Sequence, residues 1–197
     1  WINGPCTRRE MAENLRNMQP VWSFRSHWCY QNTCFVAAGL LIEELSGMTW
    51  EEFVQENILK PLGMDRTTFY VDAIKADPNH ATPYSRVLPT DLTGYEAIDF
   101  LKSDCEDMSK GIGAPYGPAG SIMSTINDMC KWVQFNLDNG KVDGKQIISE
   151  ENMKEVHKAN MLMSEPLLLP FPEEDFYSYG MGWFVETYRG HVMVEHG

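Results

Sequence analysis

Trp28–Phe69, WCYQNTCFVAAGLLIEELSGMTWEEFVQENILKPLGMDRTTF, holds the longest apolar run of the chain, from Cys34 to Ile42. Such a run predicts a helix buried nearly all round. Gly47 is its expected stop, because glycine accepts the left-handed geometry that ends helices. Thr49 opens a second helix, and Glu52, three residues on, completes a capping box with it. Trp50, Phe53, Val54 and Ile58 fall on one face of that helix, and Pro61 and Gly63 end it.

The chemistry lies just before the first helix. If that helix begins near Thr33, then Tyr30, Gln31 and Asn32 stand at its N-terminal mouth. Two residues apart in extended chain, Tyr30 and Asn32 point to the same side. A helix N-terminus carries roughly half a positive charge and unpaired N–H groups, a field that favours a phenolate or another anion. A tyrosine there is a candidate proton acceptor, and an asparagine beside it can both donate and accept a hydrogen bond. The chain has 8 tyrosines, and the triplet alone reads more readily as a buried tyrosine capped by a turn asparagine.

YQN, the apolar helix, SGMTWEEFVQENILKPLGM and the Thr-Thr-Phe exit together resemble the serine β-lactamase and penicillin-binding-protein-like family. That family includes class C-type β-lactamases, D-Ala-D-Ala carboxypeptidases and related esterases. Two further stretches carry the resemblance. One is Gly117-Pro118-Ala119-Gly120, followed by S-T-x-x-D-M and a helix that stops at Asn139-Gly140. The other is YGMGW from Tyr179, a short hairpin, and the closing EHG.

The resemblance implies an α+β fold: a mainly helical region plus a short antiparallel β-hairpin, part of the β-lactamase/transpeptidase-like fold. It implies that Tyr30 relays a proton and that Asn32 hydrogen-bonds the substrate amide. It places His196 and Gly197 at the substrate, where many members carry Lys-Thr-Gly and others His-x-Gly or His-Gly-Gly. Histidine is mostly neutral near pH 7, whereas lysine is charged. That departure argues against efficient β-lactamase activity and for peptidase or esterase chemistry.

In the family the nucleophile motif is Ser-x-x-Lys, in which the serine attacks a carbonyl and the lysine helps deprotonate it. No lysine here has a serine three residues before it, and Gly-x-Ser-x-Gly is also absent. By resemblance the motif belongs upstream of Tyr-x-Asn. The expectation is an internal fragment, 1–197, of one β-lactamase-like domain, mainly helical over 1–174 with a sheet-edge hairpin over 175–197. The segment alone is expected to be inert. The intact protein is expected to be a serine acyl-transfer hydrolase acting on a small molecule or peptide with an amide, ester or lactam carbonyl, with no cofactor and no metal. The alternatives are a lactamase-like scaffold that binds or assembles without turnover, and an unrelated helical interaction domain.

Composition sets outer bounds. At 197 residues and 43% hydrophobic, the chain can bury a core. A net charge of −12 argues against nucleic-acid binding through a basic surface and against an anionic membrane surface. The longest apolar stretch is about half of what a membrane helix needs, and no basic, apolar, small-residue leader opens the sequence. Five cysteines, Cys6, Cys29, Cys34, Cys105 and Cys130, form no CxxC pair and no zinc spacing. Cys34 and Cys130 read as core residues on apolar helix faces. The odd thiol count favours a reducing compartment, while the family often works in the cell envelope, so the compartment stays open.

The rest of the chain reads in order. Thr7 to Met18 predicts a short helix with a Thr7/Glu10 capping box and an apolar stripe of Met11, Leu15 and Met18. Trp22, Phe24 and Trp28 are either walls of the site or ordinary core aromatics. Turns punctuate Val71 to Tyr116, with one short helix over Leu92 to Lys102. Ser124 or Thr125 caps a helix whose Ile126, Met129, Cys130, Val133 and Leu137 share a stripe. Asp143-Gly144 turns, and Ser149 caps a helix through Lys158. Asn160 to Phe171 is an apolar lip or a loop packed on its own domain. From Tyr177 the period becomes two: Met181, Trp183 and Val185, a turn at Arg189-Gly190, then His191 to Glu195. A two-stranded hairpin is marginal alone, so its sheet partners are expected outside both termini. His191 and His196, five apart, face opposite ways and make a poor metal pair.

Overall fold

The computed structural model describes residues 6–82, 84–86, 95–97, 115–163 and 173–197. The fold is α+β, in two compact units: Trp1–Asn17 with Gln31–Met129, and Met18–Tyr30 with Cys130–Gly197.

In the first unit, helix α1 (Arg8–Asn14) starts at the Thr7/Glu10 capping box and tightens into a 3-10 turn, Leu15–Asn17. Of its expected stripe, Met11 is buried but Met18 is exposed. Helix α2 (Asn32–Ser46) is capped by Gln31, whose side-chain oxygen accepts from the Thr33 hydroxyl at 2.8 Å. It ends on Gly47 at φ 70°. It is not buried all round. Val36 and Gly39 are buried, while Leu41, Leu45 and Cys34 are exposed. At about 100° per residue those two sets lie on opposite faces, and only one face meets α1 and the Gly117–Ala119 turn. Contact there is close: a Cβ on Gly39 would stand 2.1 Å from Cγ of Pro118. Met11, Val36 and Tyr116 form the core beneath, flanked by Cys6 and Ala119.

Helix α3 (Trp50–Val54) has the expected Thr49/Glu52 capping box. It runs through a π turn, Gln55–Leu59, into α4 (Lys60–Leu62). The π turn inserts one residue into the periodicity. Leu59 therefore takes the buried place that regular spacing assigns to Ile58. Pro61 does not end the helix but sits inside α4; Gly63, at φ 65°, ends it. A buried ionic cluster ties three helices together: Arg8 pairs with Glu51 at 2.6 Å and with Glu43. Its guanidinium lies 5.9 Å from the Trp50 ring.

A short helix α5 (Val71–Ala76) follows where the sequence shows only fading regularity; it has no side-chain cap to announce it. The helix expected over Leu92 to Lys102 is corrected at its centre. Strand β2 (Tyr95–Ala97) pairs antiparallel with β1 (Tyr84–Arg86), and the rest of that segment lies outside the described residues. Three residues with Tyr at one end carry too little helical period to resist strand pairing. Helix α6 (Ile126–Leu137) begins in the first unit, with the Thr125 hydroxyl accepting from Asp128 N at 3.3 Å. Asp128 is buried and accepts from Arg66 N and the Thr67 hydroxyl, both at 2.9 Å.

In the second unit α6 buries Phe135, not its apolar stripe. Ile126, Val133 and Leu137 are exposed, and so is Cys130. The stripe is real, but the described residues do not cover it. Cys34 and Cys130 are therefore surface thiols and not core residues, because both sit on uncovered faces. Asn139 and Gly140 stop the helix at positive φ. Strands β3 (Lys141–Val142) and β4 (Lys145–Gln146) form a hairpin around Asp143-Gly144, both at positive φ. Ser149 caps α7 (Glu150–Val156), which ends two residues before Lys158.

The hairpin expected at the C-terminal end has partners within this chain. Strands β5 (Met161–Leu162), β6 (Glu174–Tyr179), β7 (Phe184–Tyr188) and β8 (His191–Glu195) make a four-stranded antiparallel sheet in that order. Met181 and Trp183 lie in the β6–β7 turn and not in a strand, because the pairing begins at Tyr179 opposite Phe184. Of the lip expected over Asn160 to Phe171, Met161 and Leu162 are strand β5, and 164–171 lie outside the described residues.

Candidate active site

Tyr30 closes the irregular segment 18–30 of the second unit, one residue before the α2 cap. Four rings surround it. Phe184 lies parallel at 6.5 Å, Tyr179 meets it edge-on at 6.1 Å, His196 stacks at 5.7 Å and Trp28 tilts at 6.4 Å. The sheet supplies three of the four. Tyr179 ends β6 and pairs with Phe184, which opens β7 and pairs with Glu195 at the end of β8. His196 is the next residue, and its ring stacks on Phe184 at 5.1 Å and meets Tyr179 at 6.1 Å. Such aromatic contacts fix ring orientation as well as burying area.

The polar atoms of this cluster carry its chemistry. Nδ1 of His196 lies 2.6 Å from the Gly197 oxygen. Nε2 of His196 and the Tyr179 hydroxyl are buried without a hydrogen-bond partner among the described residues. Buried polar atoms are nearly always paired, so these two, unpartnered among the described residues, are candidates for a ligand's hydrogen bonds. Burial first, then the nearby Tyr30, pushes the Tyr179 phenol up to about 12. That group stays a neutral O–H near pH 7.

The structure thus brings together two of the four residues singled out from sequence, Tyr30 and His196. Asn32 is the first residue of α2 and belongs to the first unit; its Oδ1 is buried and without a partner among the described residues. Gly197 is exposed, and a Cβ there would meet nothing within 4 Å. Of the three aromatics before Tyr30, only Trp28 joins the cluster. Trp22 is exposed and stacks on His27 at 4.1 Å, and Phe24 is exposed beneath Arg25. Sequence reasoning missed Tyr179 and Phe184. The YGMGW motif contains the first, but its ring could be assigned to the site only with β6 recognised as a strand.

A second aromatic group in this unit steadies the β6–β7 turn. Trp183 stacks on Trp132 at 6.2 Å and receives the His157 ring edge-on at 5.0 Å. Nε2 of His157 lies 3.1 Å from Asn136 Oδ1, and burial holds its pKa down. Gly180 lets the turn approach α7: a Cβ there would be 2.9 Å from the Val156 carbonyl.

The β-lactamase family model matches residues 1–197, and the chain belongs to that family. Among similar proteins, Unguisins hydrolase ungD' of Aspergillus campestris (strain IBT 28561) is 25% identical over 98% of this chain and 32% of its own length. The octameric penicillin-binding protein homologue from Pyrococcus abyssi superposes with a TM-score of 0.72 at 24% identity, over 96% of this chain and 38% of that one. A D-stereospecific amidohydrolase from Streptomyces sp. gives 0.66 at 20% identity, over 99% of this chain and 50% of that one. The chain spans about a third of the length of the curated relative. No described helix is long and apolar enough to cross a membrane.

Proposed function

We propose that this chain is part of a serine acyl-transfer hydrolase that cleaves an amide, ester or lactam carbonyl, with peptidase or esterase chemistry favoured over β-lactam hydrolysis. The nucleophilic serine and its lysine lie outside residues 1–197. The serine oxygen attacks the carbonyl carbon and gives its proton to Tyr30, acting with the lysine. The carbon–nitrogen or carbon–oxygen bond breaks, the leaving group takes that proton, and water releases the acyl group. Asn32 hydrogen-bonds the substrate amide, and His196 with Gly197 lines the acyl-donor site. Supporting this reading above all is Tyr30 packed against His196 and Tyr179, the latter two of which carry a buried polar atom without a partner among the described residues.

The test is labelling of the intact folded protein with a fluorophosphonate, which acylating serines capture. Stoichiometric labelling at one serine is the expected result. A folded protein that takes up no label, yet binds amide ligands, would instead be the binding scaffold.

A further inference from the structure

The hydrogen bonding of His196 fixes what its free face offers. The Gly197 oxygen can only accept, so the 2.6 Å contact places the proton on Nδ1. In the neutral ring Nε2 is then an acceptor, not a donor. The Tyr179 hydroxyl is the second atom of the cluster without a partner among the described residues, and its ring meets His196 at 6.1 Å. We propose that Tyr179 and His196 form a donor-and-acceptor pair, on a wall of aromatic rings, that selects a neutral carboxamide or hydroxyl on the substrate and rejects a carboxylate. This rests on the hydrolase reading above and names the substrate class of the same site.

A carboxamide supplies both complements: its carbonyl accepts from the phenol and its N–H donates to Nε2. A carboxylate accepts only, so it satisfies the phenol but sets its other oxygen against the Nε2 lone pair. Leaving a buried partner unpaired is the stronger discriminator in such sites. Burial and Tyr30 both keep the Tyr179 proton in place, so its donor role holds across neutral pH. The rings of Trp28, Tyr30 and Phe184 supply an apolar, aromatic lining suited to a planar ligand.

The test is equilibrium binding of two near-isosteres, phenylacetamide and phenylacetate, to the intact protein at pH 7.5 by calorimetry. Phenylacetamide should bind about tenfold or more tighter. Tyr179→Phe should weaken both ligands, since each accepts from the phenol; His196→Phe, which removes the acceptor, should bring the two within about twofold, and His196→Lys should turn the preference toward phenylacetate by supplying a cation. Equal or tighter binding of phenylacetate by the unaltered protein overturns the proposal, as does a preference undiminished in a folded His196→Phe protein, or phenylacetamide binding unweakened in a folded Tyr179→Phe protein. Binding needs no nucleophile, so failed fluorophosphonate labelling with an intact amide preference sinks the hydrolase reading alone, and the reverse pattern sinks the substrate-class proposal alone.

Discussion

Gly39→Ala isolates the contact on which the first unit is built. A Cβ at residue 39 would lie 2.1 Å from Pro118 Cγ and 2.8 Å from Pro118 Cβ. Carbon atoms rest at about 3.5–4.0 Å, so something must move by roughly an ångström or more. The proline ring cannot swing aside as a long side chain would. Its neighbour Gly117 is itself hemmed in, since a Cβ there would be 2.8 Å from Glu51 Oε1. Overpacking of this kind costs about 1–3 kcal/mol, while alanine recovers about 1 kcal/mol of helix propensity over glycine. The expected net loss is up to about 2 kcal/mol at these magnitudes. Urea denaturation followed by circular dichroism should show a lower midpoint at unchanged slope. Gly47→Ala, with φ 70° and open space around it, should lose about 1–2 kcal/mol through backbone strain alone. A Gly39→Ala protein more stable than the original would show helix propensity acting with no overpacking cost, and would mean that Pro118 does not seat on α2.

Further outcomes can be measured. Tyr30→Phe should slow acylation by a serine-directed probe about 10²-fold with the fold retained, if the phenol relays the proton; an unchanged acylation rate removes that role. Asp128→Ala leaves the Arg66 amide and the Thr67 hydroxyl without their acceptor, which should cost about 2–4 kcal/mol of unfolding free energy. Glu52 is held below its ordinary 4.5 by the backbone N–H, then the hydroxyl, of Thr49. A depressed carboxylate contributes stability that is present above 4.5 and is lost as pH falls through its lower folded value. The gap in Tm between the protein and Glu52→Gln should therefore close in acid; a gap constant with pH contradicts the capping box.

Local rules read this chain well. The capping boxes at Thr7 and Thr49, the Ser149 cap, the left-handed stops at Gly47 and Gly63 and the Asp143-Gly144 turn each need only a few adjacent residues. What escaped was set by contact between distant parts. Apolar composition showed that α2 and α6 have hydrophobic faces, but not that one face of each lies uncovered by the described residues. Cys34 and Cys130 were misread for the same reason. Leu59 displaced Ile58 because a π turn leaves no mark in the hydrophobic pattern. Tyr30 was legible as a candidate because its triplet abuts a helix start. Its partner Tyr179 was not, because the identity of β6 as a strand rests on pairing with β7.

The register of that pairing sets the ring cluster, and a single irregularity sets the register. Near its start β6 pairs Glu174 with Tyr188. Carried on without interruption, that register would bring Ser178 opposite Phe184. A shift between Glu174 and Tyr177 moves the pairing by one residue, so that Tyr179 stands opposite Phe184 and Ser178 opposite Val185. Facing residues in an antiparallel pair share one side of the sheet. The shift therefore turns the Tyr179 ring toward Tyr30 and His196, and turns Ser178 into the buried interior, where its hydroxyl donates to the Val185 carbonyl at 2.9 Å. Bulges beside functional sites commonly re-aim one side chain in this way. In this sheet the displaced residue decides whether the wall beside Tyr30 carries a phenol that can donate a hydrogen bond or a serine whose hydroxyl is spent on the neighbouring strand.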